Sequence, residues 1–414
     1  MNDKIKPNSN YAWYALSLLM MVYVLNFLDR SIIYILFPLI KKDMAFSDTQ
    51  LALLGTTSFV IFYTVLGIPF GRMADKGSRT KLIAFGLALW SIFAGLTAFA
   101  WDFWTIFLCR VGVGIGEATL GPAAISLLSD YFPSNRRATV TSIYSMGIAI
   151  GAGLAALLGG YLSVFGWRTA FVLVGFPGVF FALLVFLLRE PQRTNAAAKE
   201  DYSGADWRRL FSNKPFLLLC LGYALLGLAT NNLSIWGATF YSRVHGFQLP
   251  LIGFWGGILT LCAGIPATFF GGFFADKFRG FSRGGRMLYG ALIALISVPA
   301  WLVLIFTASI PFTLLANFVL LFAALSWLGA AAADATELAG INLRGLAIAV
   351  YFFSVNIAAY LIGSNLIGYL NDKFDATAVP EMMRYSLLVC PFACVLSAIL
   401  LYAGSRAMNK QPLN

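Results

Sequence analysis

Long apolar runs separated by short polar breaks dominate the chain of 414 residues. A helix rises 1.5 Å per residue and the hydrocarbon core of a bilayer is about 30 Å thick, so about 20 consecutive apolar residues make one crossing. Twelve runs meet that length, at 11–40, 49–70, 82–101, 103–129, 138–163, 169–188, 215–242, 247–275, 287–309, 311–334, 345–371 and 385–404. Gly, Pro or charge marks the breaks between them. The first run is too long for the apolar part of a signal peptide, carries Asp29 and Arg30, and lacks a small-residue cleavage pattern, so it is expected to stay as helix 1. The longest polar stretch, Arg189 to Lys214, holds ten charged residues of both signs and reads as a solvated linker. The pattern therefore predicts an all-α membrane protein: a six-helix bundle over 1–188, a cytoplasmic linker over 189–214, and a second six-helix bundle over 215–414.

Composition agrees: 59% of residues are hydrophobic and 11% charged, which excludes an ordinary soluble domain. The net charge of +11 would suggest nucleic acid in a soluble chain. Here its distribution is the informative quantity, because Lys and Arg are enriched in cytoplasmic loops. With the N-terminus inside, 21 of the 29 lie on cytoplasmic segments and six outside (Lys41, Lys42, Arg168, Arg243, Lys373, Arg384), while Arg30 and Arg110 fall within helices. Both termini are thus expected on the cytoplasmic side of the inner (plasma) membrane, and no nucleic-acid partner is expected. The five Cys (109, 220, 262, 390, 394) and the single His245 have no metal-ligand spacing, so no metal site is expected. Phosphate loops, nucleophile elbows and H-E-x-x-H are also absent, which leaves no catalytic residue and no cofactor to nominate. Energy for any transport then comes from a gradient or from the substrate.

The two halves echo each other. Gly71-x-x-Ala74-Asp75-Lys76 after helix 2 matches Gly272-x-x-Ala275-Asp276-Lys277 after helix 8 at a shift of 201, and Asp130, Arg137 and Tyr144 answer to Glu337, Arg344 and Tyr351 at a shift of 207. Equivalent loops of two six-helix halves are where parallel repeats of a transporter place such matches.

With these motifs the chain resembles the major facilitator superfamily over nearly its whole length. Its cytoplasmic loop signature is similar to Gly71-x-x-Ala74-Asp75-Lys76 followed by Arg79 and Lys81, although Gly77-Ser78 stands where the family places its second Gly at position 78. Helix 5 carries Gly147-x-x-x-Gly151-x-Gly153 and Gly159-Gly160, so close packing is expected, but Ala152 stands where the usual Pro follows Gly151, which puts a Pro-dependent kink in question. Asn26-Phe27-Leu28-Asp29-Arg30, Arg110-x-x-x-Gly114-x-Gly116-Glu117-Ala118, and Arg189-Glu190-Pro191 together look like the spinster branch, whose members move sphingosine-1-phosphate or lysophospholipids. A second branch, the proton symporters for sugar acids, has a similar Asp-Arg in helix 1 and a similar Arg-to-Glu spacing in helix 4. The resemblance implies a cytoplasmic charge network of Gly71, Asp75, Arg79 and Arg137, with Asp276 and Arg344 as partial mirrors, that holds the halves together when the cavity opens outward.

Ionisable residues within a span cost roughly 2.5–3.5 kcal/mol on insertion scales and usually face the bundle interior. Asp29, Arg30, Arg110 and Glu117 meet that description. Arg110 and Glu117, seven apart, share one face of helix 4 about 10 Å apart along the axis. Asp29 falls level with the space between them, and an acid–base–acid cluster is expected if helices 1 and 4 adjoin, as the resemblance implies. Arg30 is rotated about 100° from Asp29, so the two cannot point the same way. Three charges leave one acid uncompensated, which nominates Glu117, with Asp29, as proton carriers, and Arg110, with Arg30, as anchors for an anionic head group. Structural ion pairing within the first half is the alternative reading of all four. The second half offers neutral groups, among them Asn231, Trp236, Asn356 and Tyr360, as further substrate contacts, while Asp334 sits near the cytoplasmic end of helix 10. A charged wall and an apolar one suit an amphiphile. The expectation is therefore a monomeric, proton-coupled secondary transporter of an anionic lipid, working by alternating access among membrane lipids. A sugar-acid/proton symporter is the alternative; a lipid-modifying enzyme would need a nucleophile–base pair or metal cluster that the sequence does not offer, and an uncoupled scramblase would make no use of Glu117.

Overall fold

The computed structural model describes residues 9–133, 136–193, 203–340 and 343–410. Among them all regular structure is helical. Twelve helices are long and apolar enough to cross a membrane: Asn10–Met44, Asp48–Lys76, Arg79–Phe99, Phe103–Tyr131, Thr139–Phe165, Trp167–Phe186, Lys214–Val244, Leu249–Phe281, Gly285–Phe306, Ile310–Ala339, Arg344–Lys373 and Pro380–Lys410, numbered here as helices 1 to 12. They coincide with the twelve apolar runs, and the reason is the solvent: in hydrocarbon every backbone polar group must be satisfied within the chain, which a helix does by itself.

The polar breaks carry the caps. Ser47 and Gln50 form a capping box at the start of helix 2, and Asp102 and Thr105 one at the start of helix 4. Part of the stretch that reads as a solvated linker is itself helical. Gly204–Phe211 forms a short helix begun by a Ser203–Asp206 capping box.

Close contacts cluster the residues into two units, Met1–Lys199 with Phe247–Ile258, and Glu200–Gly246 with Leu259–Asn414. The first turns of helix 8 group with unit 1, where glycines let them touch helix 5: a Cβ on Gly253 would lie 2.4 Å from the Ala156 carbonyl oxygen. Helix 5 contains no Pro, and it meets helix 1 closely enough that a Cβ on Gly151 would lie 2.5 Å from the Val24 carbonyl oxygen. The close packing agrees with what the retained glycines imply.

Two spans contain a wide π turn, Leu53–Thr57 in helix 2 and Ile357–Gly363 in helix 11. Such turns disturb the regular ladder of backbone hydrogen bonds, and neighbouring side chains meet the carbonyls there. Tyr34 of helix 1 donates to the Gly55 carbonyl at 3.2 Å. In unit 2, Asn232 and Trp236 of helix 7 donate to the carbonyls of Ala359 and Ser364, each at 3.3 Å.

Candidate functional site

Helix 4 is drawn against its neighbours where Glu117 sits. A Cβ on Gly114 would lie 2.6 Å from the Phe59 carbonyl oxygen of helix 2, and one on Gly116 would lie 2.6 Å from the Gly86 carbonyl oxygen of helix 3. This packing sinks the acid into the bundle. Asp29, Arg110 and Glu117 are each 1% exposed and Arg30 9%.

The cluster is a quartet and not the expected trio. Arg30 holds Glu117, donating to Oε2 from Nη2 at 2.7 Å and from Nε at 3.1 Å. The rings of Phe59, Tyr63 and Phe27 surround the Arg30 guanidinium at 4.5, 4.8 and 4.9 Å from their centroids. Such rings stabilise a cation where water is scarce. Asp29 turns instead toward helix 3 and accepts from Trp90 Nε1 at 3.2 Å. Arg110, expected to answer Glu117, reaches the backbone carbonyls of Asp29 and Arg30 through long bonds of 3.4 and 3.5 Å, beside the Phe59 ring at 5.6 Å. With Arg30 included, the count of two acids and two bases balances, and the argument from an odd charge no longer holds. The 100° divergence of Asp29 and Arg30 does hold, with one on helix 3 and the other on helix 4.

Sequence reasoning missed Trp90, Phe59 and Tyr63, since aromatic residues within apolar runs carry no distinguishing period. Close by, Tyr23 of helix 1 and Tyr144 of helix 5 stack at 4.4 Å, with the buried Tyr144 hydroxyl unpaired among the described residues.

In unit 2, the Tyr360 hydroxyl donates to Asn231 Oδ1 at 3.0 Å, and Asn356 is half-buried at the start of the π turn. Trp236 is fully buried with its indole N–H on the Ser364 carbonyl, so it braces helix 11.

Around the loop between helices 2 and 3 the structure assembles a different set from the one the resemblance implied. Buried Arg79 pairs with Asp130 at the end of helix 4 and, through Nε at 2.7 Å, with Glu190 just past helix 6. The other oxygen of Glu190 accepts from the Thr80 amide, the Thr80 hydroxyl and the Ser78 hydroxyl, each at 3.0 Å, and so caps helix 3 at the end where its dipole favours an anion. Burial works to raise the Glu190 carboxyl, but the Arg79, Thr80 and Ser78 donors outweigh it and hold the group below its ordinary value. The following residues continue the staple, with Arg193 donating to the carbonyls of Ala74 and Gly77 at 2.7 and 2.6 Å. Asp75 and Arg137 are exposed, and among the described residues no ion pair joins them to Arg79; Gly71 lies near Pro122 of helix 4. In unit 2, Asp276 pairs with Arg286 at 2.8 Å, Arg286 also reaches Asp334 and Glu337 at 3.5 Å, and Arg344 is exposed. Arg79 and Arg286 are related by the same shift of 207 that relates Asp130 to Glu337, so the repeat could have found this pairing.

Comparison with known proteins bears on this arrangement. The family model for the Major Facilitator Superfamily matches residues 19–361. An MFS-type efflux pump of Mycolicibacterium smegmatis is 30% identical over 94% of this chain and 92% of its own length. A probable L-galactonate transporter of Escherichia coli is 26% identical over 62% of this chain and 58% of its own. The crystal structure of a bacterial homolog of the human lysosomal transporter Spinster, inward-facing and unoccupied, superposes with a TM-score of 0.85 at 27% identity, covering 98% of this chain and 100% of that one. Twelve spans, a repeated loop signature and the matching family model agree: the chain belongs to the Major Facilitator Superfamily of membrane transporters, and within it is similar to the spinster proteins.

Proposed function

We propose that this transporter is a proton-coupled secondary carrier of an amphipathic anionic lipid, of the lysophospholipid or sphingosine-1-phosphate kind, working by alternating access. The Arg30–Glu117 pair carries the reading. Out of water an ion pair persists only while both members are charged. A proton on Glu117 frees the Arg30 guanidinium, whose planar fork suits a phosphate or carboxylate. The Glu117 carboxylate and the anionic head group then compete for one cation, so protonation and head-group binding favour each other, and that linkage is the coupling. Asp29, adjoining Arg30, is the second proposed proton carrier. Arg110 orients the helix 1 backbone around the pair and is a further proposed contact for the head group. Asn231, Asn356 and Tyr360 of unit 2 are the further proposed substrate contacts, while Trp236, fully buried with its indole N–H on the Ser364 carbonyl, is left to brace helix 11. Arg79 and Arg286, each fixing the inner end of its own unit, frame the proposed cytoplasmic gate of Gly71, Asp75, Arg137, Asp276 and Arg344. From the Lys and Arg bias, both termini are assigned to the cytoplasm and the site of action to the plasma membrane, with the protein acting as a monomer.

The similarity to the probable L-galactonate transporter favours a second reading, a sugar-acid/proton symporter using the same quartet. Flux into proteoliposomes under an imposed pH gradient separates them. We expect lysophospholipid uptake to follow the gradient, Glu117→Gln to lose that dependence while keeping exchange, and Arg30→Ala to weaken binding by the roughly 1.5–3 kcal/mol of a charge-assisted contact. Stabilisation of the purified protein by glucarate-like acids and not by lysolipids would transfer the assignment to the symporter.

A further inference from the structure

The linker helix Gly204–Phe211 presents aromatic surface where the chain has otherwise left the apolar spans. Trp207 and Phe211 are 43% and 45% exposed and stack with ring centroids 5.9 Å apart. Four residues apart, they share one face. Leu210, beside them on the helical wheel, is buried, while Arg208 and Arg209 are exposed on the remaining arc. The helix is held at a defined level. Asn213 caps the start of helix 7, accepting from the Phe216 amide, and donates to the Leu338 carbonyl at the inner end of helix 10 at 3.0 Å. Lys214, the first residue of helix 7, is exposed as well. Two adjacent rings just ahead of the first residue of helix 7, flanked among the described residues by three cations and Asp206, match the pattern of a helix lying in a membrane interface.

We propose that this helix is an interfacial anchor that binds the anionic phospholipids of the leaflet into which helix 7 opens. Trp207 and Phe211 enter the boundary between head groups and acyl chains; Arg208, Arg209 and Lys214 meet lipid phosphates. Charge complementarity selects the occupant, because the cytoplasmic leaflet is the anionic one and 21 of the 29 Lys and Arg are assigned to that side. The anchor fixes the point where the linker enters unit 2.

The full chain, reconstituted into phosphatidylcholine vesicles with and without phosphatidylglycerol, tests this through quenching by phosphatidylcholine brominated near the glycerol backbone. The contribution of Trp207 is the difference between the wild type and Trp207→Phe. We expect that contribution to be quenched, more strongly when phosphatidylglycerol is present, and the added quenching to vanish in Arg208→Gln/Arg209→Gln or at high salt. Thermal unfolding of the double variant unchanged in detergent shows that the helix has lost its lipid partner and not its fold. A Trp207 contribution that bromine does not quench, or that is indifferent to phosphatidylglycerol and to both arginines, overturns the proposal. So does quenching that weakens as protein density in the vesicle rises, which assigns the face to a second copy. No arm reads transport, so failure here leaves the proposed activity standing.

Discussion

Removing Arg30 strands Glu117 in a site that is 1% exposed, the costly way to break a buried pair. Arg30→Ala is expected to lower stability by about 3–5 kcal/mol. Adding Glu117→Gln should return most of it, which thermal unfolding across the double-mutant cycle will read. If the three rings around Arg30 were its main support, the double variant would stay as unstable as the single one. At Glu190 the sign differs from that of a simple buried acid. Its carboxyl lies below the ordinary value, so its contribution is present above the usual carboxylate range and is lost as pH falls through the lowered value. Glu190→Gln removes the charge at every pH. At neutral pH the Thr80 amide, which donates to Glu190, should then exchange with solvent faster than in the wild type, measured by hydrogen exchange. Intramembrane charge made Asp29, Arg30, Arg110 and Glu117 legible in the sequence. Their pairing was not, because it depends on which helix adjoins which, and helical phase alone could say only that Asp29 and Arg30 diverge.

Among the elements, helix 4 shows how small residues place a charge. A Cβ on Gly116 would sit 2.6 Å from the Gly86 carbonyl oxygen and 2.7 Å from the Trp90 amide nitrogen, whereas one on Gly67 of helix 2 would meet nothing within 4 Å. Gly116→Ala is therefore expected to cost about 1–3 kcal/mol through overpacking. Gly67→Ala should be neutral or gain up to about 1 kcal/mol from helix propensity, and parallel melting curves compare the two. The spans were legible because lipid imposes both their length and their apolarity. The π turn at Ile357–Gly363 was not, nor was its meeting with helix 7, where Asn232 donates to a carbonyl inside the turn and Trp236 to one just beyond it. The linker helix was written in the sequence as Ser203-x-x-Asp206 and the Trp207/Phe211 spacing, yet its charges of both signs made the stretch read as plain solvent-facing chain.

For the whole molecule, duplication relates the halves and burial then distinguishes them. Arg79 is enclosed between Asp130 and Glu190, while its repeat mate Arg286 divides itself among Asp276, Asp334 and Glu337. The Lys and Arg bias gives a topological prediction: alkaline phosphatase fused after Lys410 should be inactive and fluorescent protein fused there bright, while phosphatase inserted in the outer loop near His245 should be active. By itself the sequence determined the number of spans, their helicity, the repeat and the four buried charges, because a bilayer is a uniform solvent whose demands fall on each segment separately. Only the tertiary structure decided that Arg30 and not Arg110 holds Glu117, that Trp90 takes Asp29, and that Glu190 closes on Arg79. Those are meetings of side chains from different helices, set by how closely glycines let the backbones approach, and no single segment encodes them.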